Sequence, residues 1–386
     1  MRVDRLVLED FRNYTRARAE FDPGLNLIVG RNAQGKTNLL EGIYCLSGLG
    51  SPRGPDSSLV REGAERALLH AEVARGERRI EADLEIRPGR GTRALINKAP
   101  APGLGSLSEL IVSVFFGPDE LSLIKGSPEG RRRFLDDLVV KVRPTRDGLR
   151  REWERTLKQR NALLKSAPRA AGKQVLETLE VWDEALCRAG AALTAARLSV
   201  LADLTPFVAK RYEGIAGGGE IHLTYDSSWL TGDLVMESLA HPRGIDQSVL
   251  ASELGESIEK IRGKELERGM SLVGPQRDDV VIQLASEGSD AGLLDARLFA
   301  SQGEQRTSAL ALKLGEFDLL AEVLGEQPIL LLDDVFSELD PSRRTWLSDA
   351  VRAAGQAVLT SAEPGAIEAA GSGNVIEVVS GQLRAG

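Results

Sequence analysis

The sequence predicts an α/β fold: a mainly parallel core carrying a phosphate-binding loop, an antiparallel β layer beside it, and an inserted, mainly helical lobe. Three observations predict this. The run Gly30-Arg31-Asn32-Ala33-Gln34-Gly35-Lys36-Thr37 has the spacing of a P-loop, behind an apolar stretch at 25–29 and ahead of Leu39, Leu40, Ile43 and Leu46 at helical intervals. A second apolar stretch at 328–332 ends in Asp333-Asp334. Between the two lie roughly 290 residues, a large part of them with helical periodicity.

Each residue type in the first motif has a physical task. Gly30 and Gly35 allow backbone angles that turn successive N–H groups toward a phosphate with no Cβ in the way. Lys36 is expected to meet the β- and γ-phosphates, and the Thr37 hydroxyl to sit on Mg²⁺. Asn38 follows in the first helical turn, where an anion is favoured. The bound molecule implied is ATP with Mg²⁺, held by Gly30, Arg31, Asn32, Ala33, Gln34, Gly35, Lys36, Thr37 and Asn38.

Composition narrows the remaining classes. The 386 residues are 42% hydrophobic and 27% charged, as in ordinary globular domains. No stretch of 18 apolar residues and no signal-peptide core is visible, so a cytoplasmic protein without a membrane partner is expected. Cys45 and Cys187 lack metal-ligand spacing and are expected to be free thiols; His70, His222 and His241 stand apart, which argues against a zinc or histidine-based site. Net charge is −8, yet residues 131–173 hold fourteen Lys/Arg against five Asp/Glu, a balance of +9 within a remainder of −17.

Taken in order, strands are expected at 3–8 and 17–21 around Phe11-Arg12-Asn13-Tyr14, then at 25–29 before the loop and its helix. Alternation with a period near two at 67–73, 79–86 and 93–97 predicts the antiparallel layer. A buried strand at 111–116 ends at Gly117-Pro118. Ser127-Pro128-Glu129 marks a helix start. Helices over about 131–165 and 174–212, separated by Pro168 and Gly172, predict an antiparallel helical hairpin. A strand at 220–225, a helix at 246–270 and a strand at 280–284 follow. A long helix from Ser301 to Leu324, the strand at 328–332, a helix at 342–354, a strand at 357–359 and a hairpin around Gly381 complete the chain. The expected domains are 1–120 with 271–386 for the core and 121–270 for the inserted lobe.

The Asp333-Asp334 pair has the Walker B form. A buried strand delivers two carboxylates at its C-terminal end, where α/β sheets bind ligands. Asp333 is expected in the Mg²⁺ shell, and Asp334 to orient and deprotonate the attacking water. With Lys36 these form the catalytic set. Ser301-Gln302-Gly303-Glu304-Gln305 resembles the signature loop of ABC-type ATPases, which faces the γ-phosphate bound by a second subunit. Ser337-Glu338-Leu339-Asp340 resembles the D-loop of the same class. Together they imply an ATP-sandwiched homodimer, with the nucleotide contacted by Lys36 of one chain and by Ser301, Gln302, Gly303 and Glu304 of the other. The two long helices lack sustained heptads, so a long-armed SMC protein is excluded.

Over almost its whole length the chain resembles the RecF family of bacterial recombination mediators. The resemblance is carried by Phe11-Arg12-Asn13-Tyr14, the Gly30–Thr37 loop with Asn38-Leu39-Leu40-Glu41, Pro118-Asp119, Gly126-Ser127-Pro128 and Arg131-Arg132-Arg133-Phe134-Leu135-Asp136. It continues in Gly274-Pro275-Gln276-Arg277-Asp278-Asp279, Ser301-Gln302-Gly303-Glu304-Gln305-Arg306 and Leu332-Asp333-Asp334-Val335-Phe336-Ser337-Glu338-Leu339-Asp340. It implies an ABC-type ATPase head with an inserted helical lobe II. It also implies a weak, DNA-stimulated ATPase that binds single- and double-stranded DNA at gaps and works with RecO and RecR in loading RecA, without nuclease or helicase activity. Gln276 stands where the family usually has His. No glutamine between Gln34 and Gln159 can serve as a Q-loop, and Thr360-Ser361 replaces the switch histidine of transporters, which suits slow turnover and argues against a transporter subunit.

The basic region supplies candidate DNA contacts: Arg131, Arg132, Arg133, Arg143, Arg146, Arg150 and Arg151, with Arg155. Phosphate contacts give affinity without reading base sequence. The alternative is a solvated basic surface paired with Asp136, Asp137, Glu152 and Glu154.

Overall fold

The computed structural model describes residues 1–166, 173–285, 292–362, 373–379 and 381–385. The chain forms two compact units: 1–121, 210–218 and 306–386 make the first, and 122–209 with 219–305 the second.

The first unit is built on two sheets. One is antiparallel, in the order β2-β1-β4-β5-β6-β7: β1 Arg2–Phe11, β2 Tyr14–Glu20, β4 Ala67–Arg75, β5 Arg78–Arg87, β6 Gly91–Ile96 and β7 Ala99–Pro100. Its alternation is the expected one, with Leu6, Leu8, Leu69, Ala71 and Leu84 turned inward. The other sheet has the order β15-β14-β3-β13-β12-β8: β3 Gly24–Val29, β8 Ser113–Phe116, β12 Ile329–Asp333, β13 Gln356–Ser361, β14 Asn374–Val379 and β15 Gln382–Ala385. All its pairs are parallel except the β14–β15 hairpin. The central strands are buried on both faces, which is why 329–332 reads as an unbroken apolar run. The helix Lys36–Cys45 packs Leu39, Leu40 and Ile43 into a core shared with Leu6, Leu8, Phe11 and Val358.

The second unit is mainly helical, with a three-stranded antiparallel sheet in the order β11-β10-β9: β9 Glu220–Asp226, β10 Asp279–Ala285 and β11 Leu294–Asp295. Residues 271–305, expected with the core, cluster here instead. The reason is pairing: β10 is bonded to β9 over its whole length, and Asp279 takes a bidentate ion pair from Arg131. The helix expected over 131–165 is two, Pro128–Val142 and Gly148–Ser166. Pro144 forces the break, because its ring excludes Arg143 from the helical region, and Arg143 is extended at φ −141°. The expected separators Pro168 and Gly172 lie outside the described residues. The hairpin is nonetheless legible from its contacts. Arg160 pairs with Asp183, and Trp153 lies against Gly190, so the helices Gly148–Ser166 and Lys173–Ala216 run antiparallel.

The core of this unit is unusually polar. Arg160 is fully buried and held by Asp183, Glu265 and Ser271; Arg197 is held by both oxygens of Asp136 and by the Pro275 carbonyl. Among the described residues one stretch, Leu176–Ala216, has the length and apolar content to cross a membrane, but two-thirds of its most apolar window is buried inside the protein, as in a core helix.

Candidate functional site

The P-loop leaves β3 at Gly30 and enters its helix at Lys36. Gly30 and Gly35 take φ of 153° and 111°, and Ala33 takes 63°. A Cβ on Gly30 would stand 2.4 Å from the Val378 carbonyl oxygen, and one on Gly35 would meet Asn13 at 2.7 Å and the Tyr14 hydroxyl at 2.9 Å. Gly30, whose neighbour is backbone, is therefore required by space as well as by angle, while at Gly35 the angle decides and a side chain would also have to displace Asn13 and the Tyr14 hydroxyl. Lys36 is 7% exposed, and its ammonium donates to the carbonyls of Gly30 (2.7 Å) and Arg31 (3.1 Å), reaching back across the loop. Burial pushes its proton affinity down, and Asp334 and Asp333 pull it back up.

The strand β12 delivers Asp333 to the same place. The Thr37 hydroxyl donates to Asp333 Oδ1 at 2.8 Å, and the Thr360 hydroxyl to the same oxygen at 2.7 Å. Burial raises the Asp333 pKa; the bonds from Thr360 and Thr37 and the charge of Arg53 oppose that rise. Asp334 follows with φ 51°, a left-handed conformation costing a non-glycine residue about 1 kcal/mol, and its N–H donates to Thr360 Oγ1 at 3.0 Å. The Thr360 hydroxyl thus links the Asp333 carboxylate to the backbone of Asp334.

The loop is gripped from outside by Asn13, Tyr14 and Arg53, whose roles sequence reasoning did not assign, together with Asn38, which it placed at the nucleotide. Asn13 Nδ2 donates to the Gln34 carbonyl at 3.2 Å and the Tyr14 hydroxyl to the Gly35 carbonyl at 2.9 Å. Asn38 Nδ2 donates to Asn13 Oδ1, and Arg53 donates to Asn38 Oδ1 and to the buried Glu41. Asn13, Tyr14, Asn38 and Glu41 fall in stretches that carry the family resemblance, whereas nothing in the sequence marked Arg53.

The signature residues lie in the second unit. Ser301 and Glu304 form a capping box at the start of the helix Gln302–Leu324: Ser301 N–H donates to Glu304 Oε2 at 2.8 Å, and Glu304 N–H to Ser301 Oγ at 3.2 Å. Asp340 likewise caps the helix Pro341–Ala353 by accepting from Arg343 N–H. The side chains of Ser337 and Glu338 lie outside the described residues.

The arginine cluster divides. Arg131 is 5% exposed, with its guanidinium fixed by Asp279 and by the carbonyls of Leu123 and Gly126, which corrects its assignment to a DNA-contacting surface. Arg132 is half-buried and donates to the Asp278 carbonyl. Arg133 faces Asp137, Arg150 binds Glu154, and Arg151 binds Asp147. Arg143 is exposed and Arg146 half-buried, and no described residue forms an ion pair with either. Burial, then the charge of Arg143, lowers the proton affinity of Arg146, with Asp203 opposing. Within the described part of the cluster these two guanidiniums lack an ion pair, although Asp203 lies near enough to Arg146 to act on its charge.

The P-loop on a parallel sheet, the paired acids at the end of β12 and the signature sequence opening a helix together define an ABC-type ATPase head. Residues 2–383 match the family described as the RecF/RecN/SMC N terminal domain. The DNA replication and repair protein RecF of Streptomyces avermitilis is 44% identical over 94% of both chains, and that of Acidothermus cellulolyticus 42% identical over the same shares. A structure titled as the recombination mediator protein RecF-ATPrS in the RecFOR pathway superposes with a TM-score of 0.86 at 27% identity, covering 100% of this chain and 98% of its own. The corresponding RecF-ATP structure gives 0.85 at 26%, covering 99% and 97%. An Smc head gives 0.52 at 15%, a likeness of fold. The chain belongs to the RecF family.

Proposed function

We propose that this chain is an ATP-dependent DNA-binding protein of recombinational repair, acting at single-strand gaps. The observation that carries the reading is the meeting at the P-loop of Lys36, within electrostatic reach of Asp333 and Asp334, and the Thr37 hydroxyl, bonded to Asp333. It is supported by relatives named for DNA replication and repair, and by structures titled as a recombination mediator with ATP or ATPrS.

In this reading the loop from Gly30 to Thr37 and Asn38 binds the phosphates, with Lys36 as the charged donor. Thr37 and Asp333, an oxygen donor pair already in contact, would hold Mg²⁺, which would supply positive charge against the nucleotide phosphates. Asp334 accepts the proton of the attacking water, its backbone anchored by the bond from its N–H to Thr360. Ser301, Gln302, Gly303 and Glu304 approach the nucleotide of a second copy, closing an ATP-sandwiched homodimer that slow hydrolysis reopens. The first unit serves as the ATPase lobe and the second as lobe II, where Arg143 and Arg146 are the leading phosphate contacts, with Arg132, Arg133, Arg150 and Arg151 at their margin. RecO and RecR are the partners in loading RecA.

The test is binding to a gapped duplex with and without ATP for wild type, Lys36→Arg and Asp334→Asn. ATP tightens wild-type binding, Lys36→Arg loses that gain, and Asp334→Asn gives a complex that persists. Affinity indifferent to ATP in all three would refute the clamp.

A further inference from the structure

Glu41 lies one turn beyond the P-loop on the helix Lys36–Cys45 and is fully buried. Its two oxygens are shared among three donors. Arg12 binds both, Nη2 to Oε1 at 2.7 Å and Nε to Oε2 at 2.8 Å; Arg53 Nη2 reaches Oε2 at 2.5 Å; and Ser51 Oγ reaches Oε1 at 2.5 Å. A carboxylate wholly removed from water needs such partners, and here burial raises its pKa while Arg12, Arg53 and Ser51 more than offset it. The arginines continue outward. Arg12 sits at φ 55° in the turn between β1 and β2, a conformation a bulky side chain rarely takes, and the residue after it is Asn13. Asn13 and Tyr14 fill the space that the absent Cβ of Gly35 leaves, and both donate to P-loop carbonyls. Arg53 fixes Asn38, which in turn orients the Asn13 amide.

We propose that Glu41 is a positioning residue for nucleotide binding, holding Arg12 and Arg53 so that Asn13 clamps the backbone of the P-loop at Gln34, while Lys36 ties it at Gly30 and Arg31. The inference rests on the ATP reading above and deepens it. The buried acid acts by two routes, through Arg12 to its chain neighbour Asn13 and on to Gln34, and through the hydrogen bonds Glu41–Arg53–Asn38–Asn13, which meet on one exposed asparagine. Asn13 is therefore the point at which the device can be opened without disturbing the core.

A double-mutant cycle tests it, with affinity for a fluorescent ATP analogue plus Mg²⁺ and melting temperature read on the same samples of the full chain. Asn13→Ala is expected to weaken binding about fivefold with an unchanged melting temperature. Glu41→Gln, which leaves two guanidiniums facing one amide, is expected to weaken it about tenfold or more and to lower the melting temperature. Because both act through one clamp, the double variant binds no worse than Glu41→Gln, whereas independent effects would multiply to about fiftyfold. Arg53→Lys keeps the charge, loses the forked geometry and falls between the single variants. Wild-type affinity in Asn13→Ala, or a multiplicative double variant, overturns the proposal while leaving the ATP reading intact. A wild-type chain that binds no nucleotide overturns the ATP reading itself.

Discussion

Gly35 illustrates how much one missing atom decides. Asn13 and the Tyr14 hydroxyl occupy the space where its Cβ would stand, and φ is 111°. Gly35→Ala must push both side chains away while adopting a strained angle, so ATP-analogue binding is expected to fall by more than tenfold while the fold, checked by circular dichroism, persists. Asp278 makes a second case. It is 1% exposed, accepts from Tyr225 and Trp229, and has a pKa raised by burial from 3.8 to about 6. The native protein holds this proton more tightly than the unfolded chain does. The stability it brings is present in full below about pH 3.8 and is lost as pH rises through about 6. Asn at this position does not titrate. The stability advantage of wild type over Asp278→Asn is therefore expected to shrink between pH 5 and pH 7.5, by about 2 kcal/mol at most, measured by denaturant unfolding. A gap that widens with pH would contradict the buried, protonated state.

At the scale of elements, the arginines between Pro128 and Ser166 divide according to where each falls on its helix. Arg131 points into the second unit, with the Nε–Nη2 edge of its guanidinium bound by both oxygens of Asp279. Arg131→Ala leaves a half-buried carboxylate unpaired and is expected to cost about 3 kcal/mol or more of stability in urea unfolding. Arg143 and Arg146 lie on the short turn that Pro144 creates. Replacing both with Gln is expected to weaken gapped-duplex binding without changing the melting temperature, and to flatten the salt dependence by about two phosphate contacts. Unchanged salt dependence would remove them from the DNA surface. Periodicity could announce a basic helical region but not which guanidiniums turn inward, because buried partners such as Asp279 lie about 150 residues away in the chain. The same limit hid the clamp on the P-loop. Lys36, Thr37 and Asp333 are legible because phosphate chemistry dictates their types and spacing, whereas Arg12, Glu41 and Arg53 meet only once β1, the helix and the loop at 51–53 are packed together. Local rules also explain the one helix that became two: the proline was visible, and its effect on Arg143 outweighed the surrounding helical pattern.

Across the whole molecule, the architecture was readable wherever an element buries a continuous apolar face, as at 25–29 and 329–332. The placement of 271–305 was not, because it depends on strand pairing between β9 and β10, more than fifty residues apart. The sheet that carries the P-loop has its own long-range order. Strand β3 is flanked by β13 on one side and β14 on the other, and the Val378 carbonyl closes against Gly30. A chain ending at residue 355 would contain both the P-loop and Asp333-Asp334 yet is expected to bind no ATP, which equilibrium dialysis would reveal. On the ribosome the same arrangement imposes a delay. Residues 24–29 emerge early but must wait for 356–361 and 374–379, some tens of seconds at about 5–20 residues per second. During that interval an apolar strand stands without either neighbour, open to capture by holding chaperones, and nucleotide occupancy becomes a late marker that synthesis has run to the far side of the sheet.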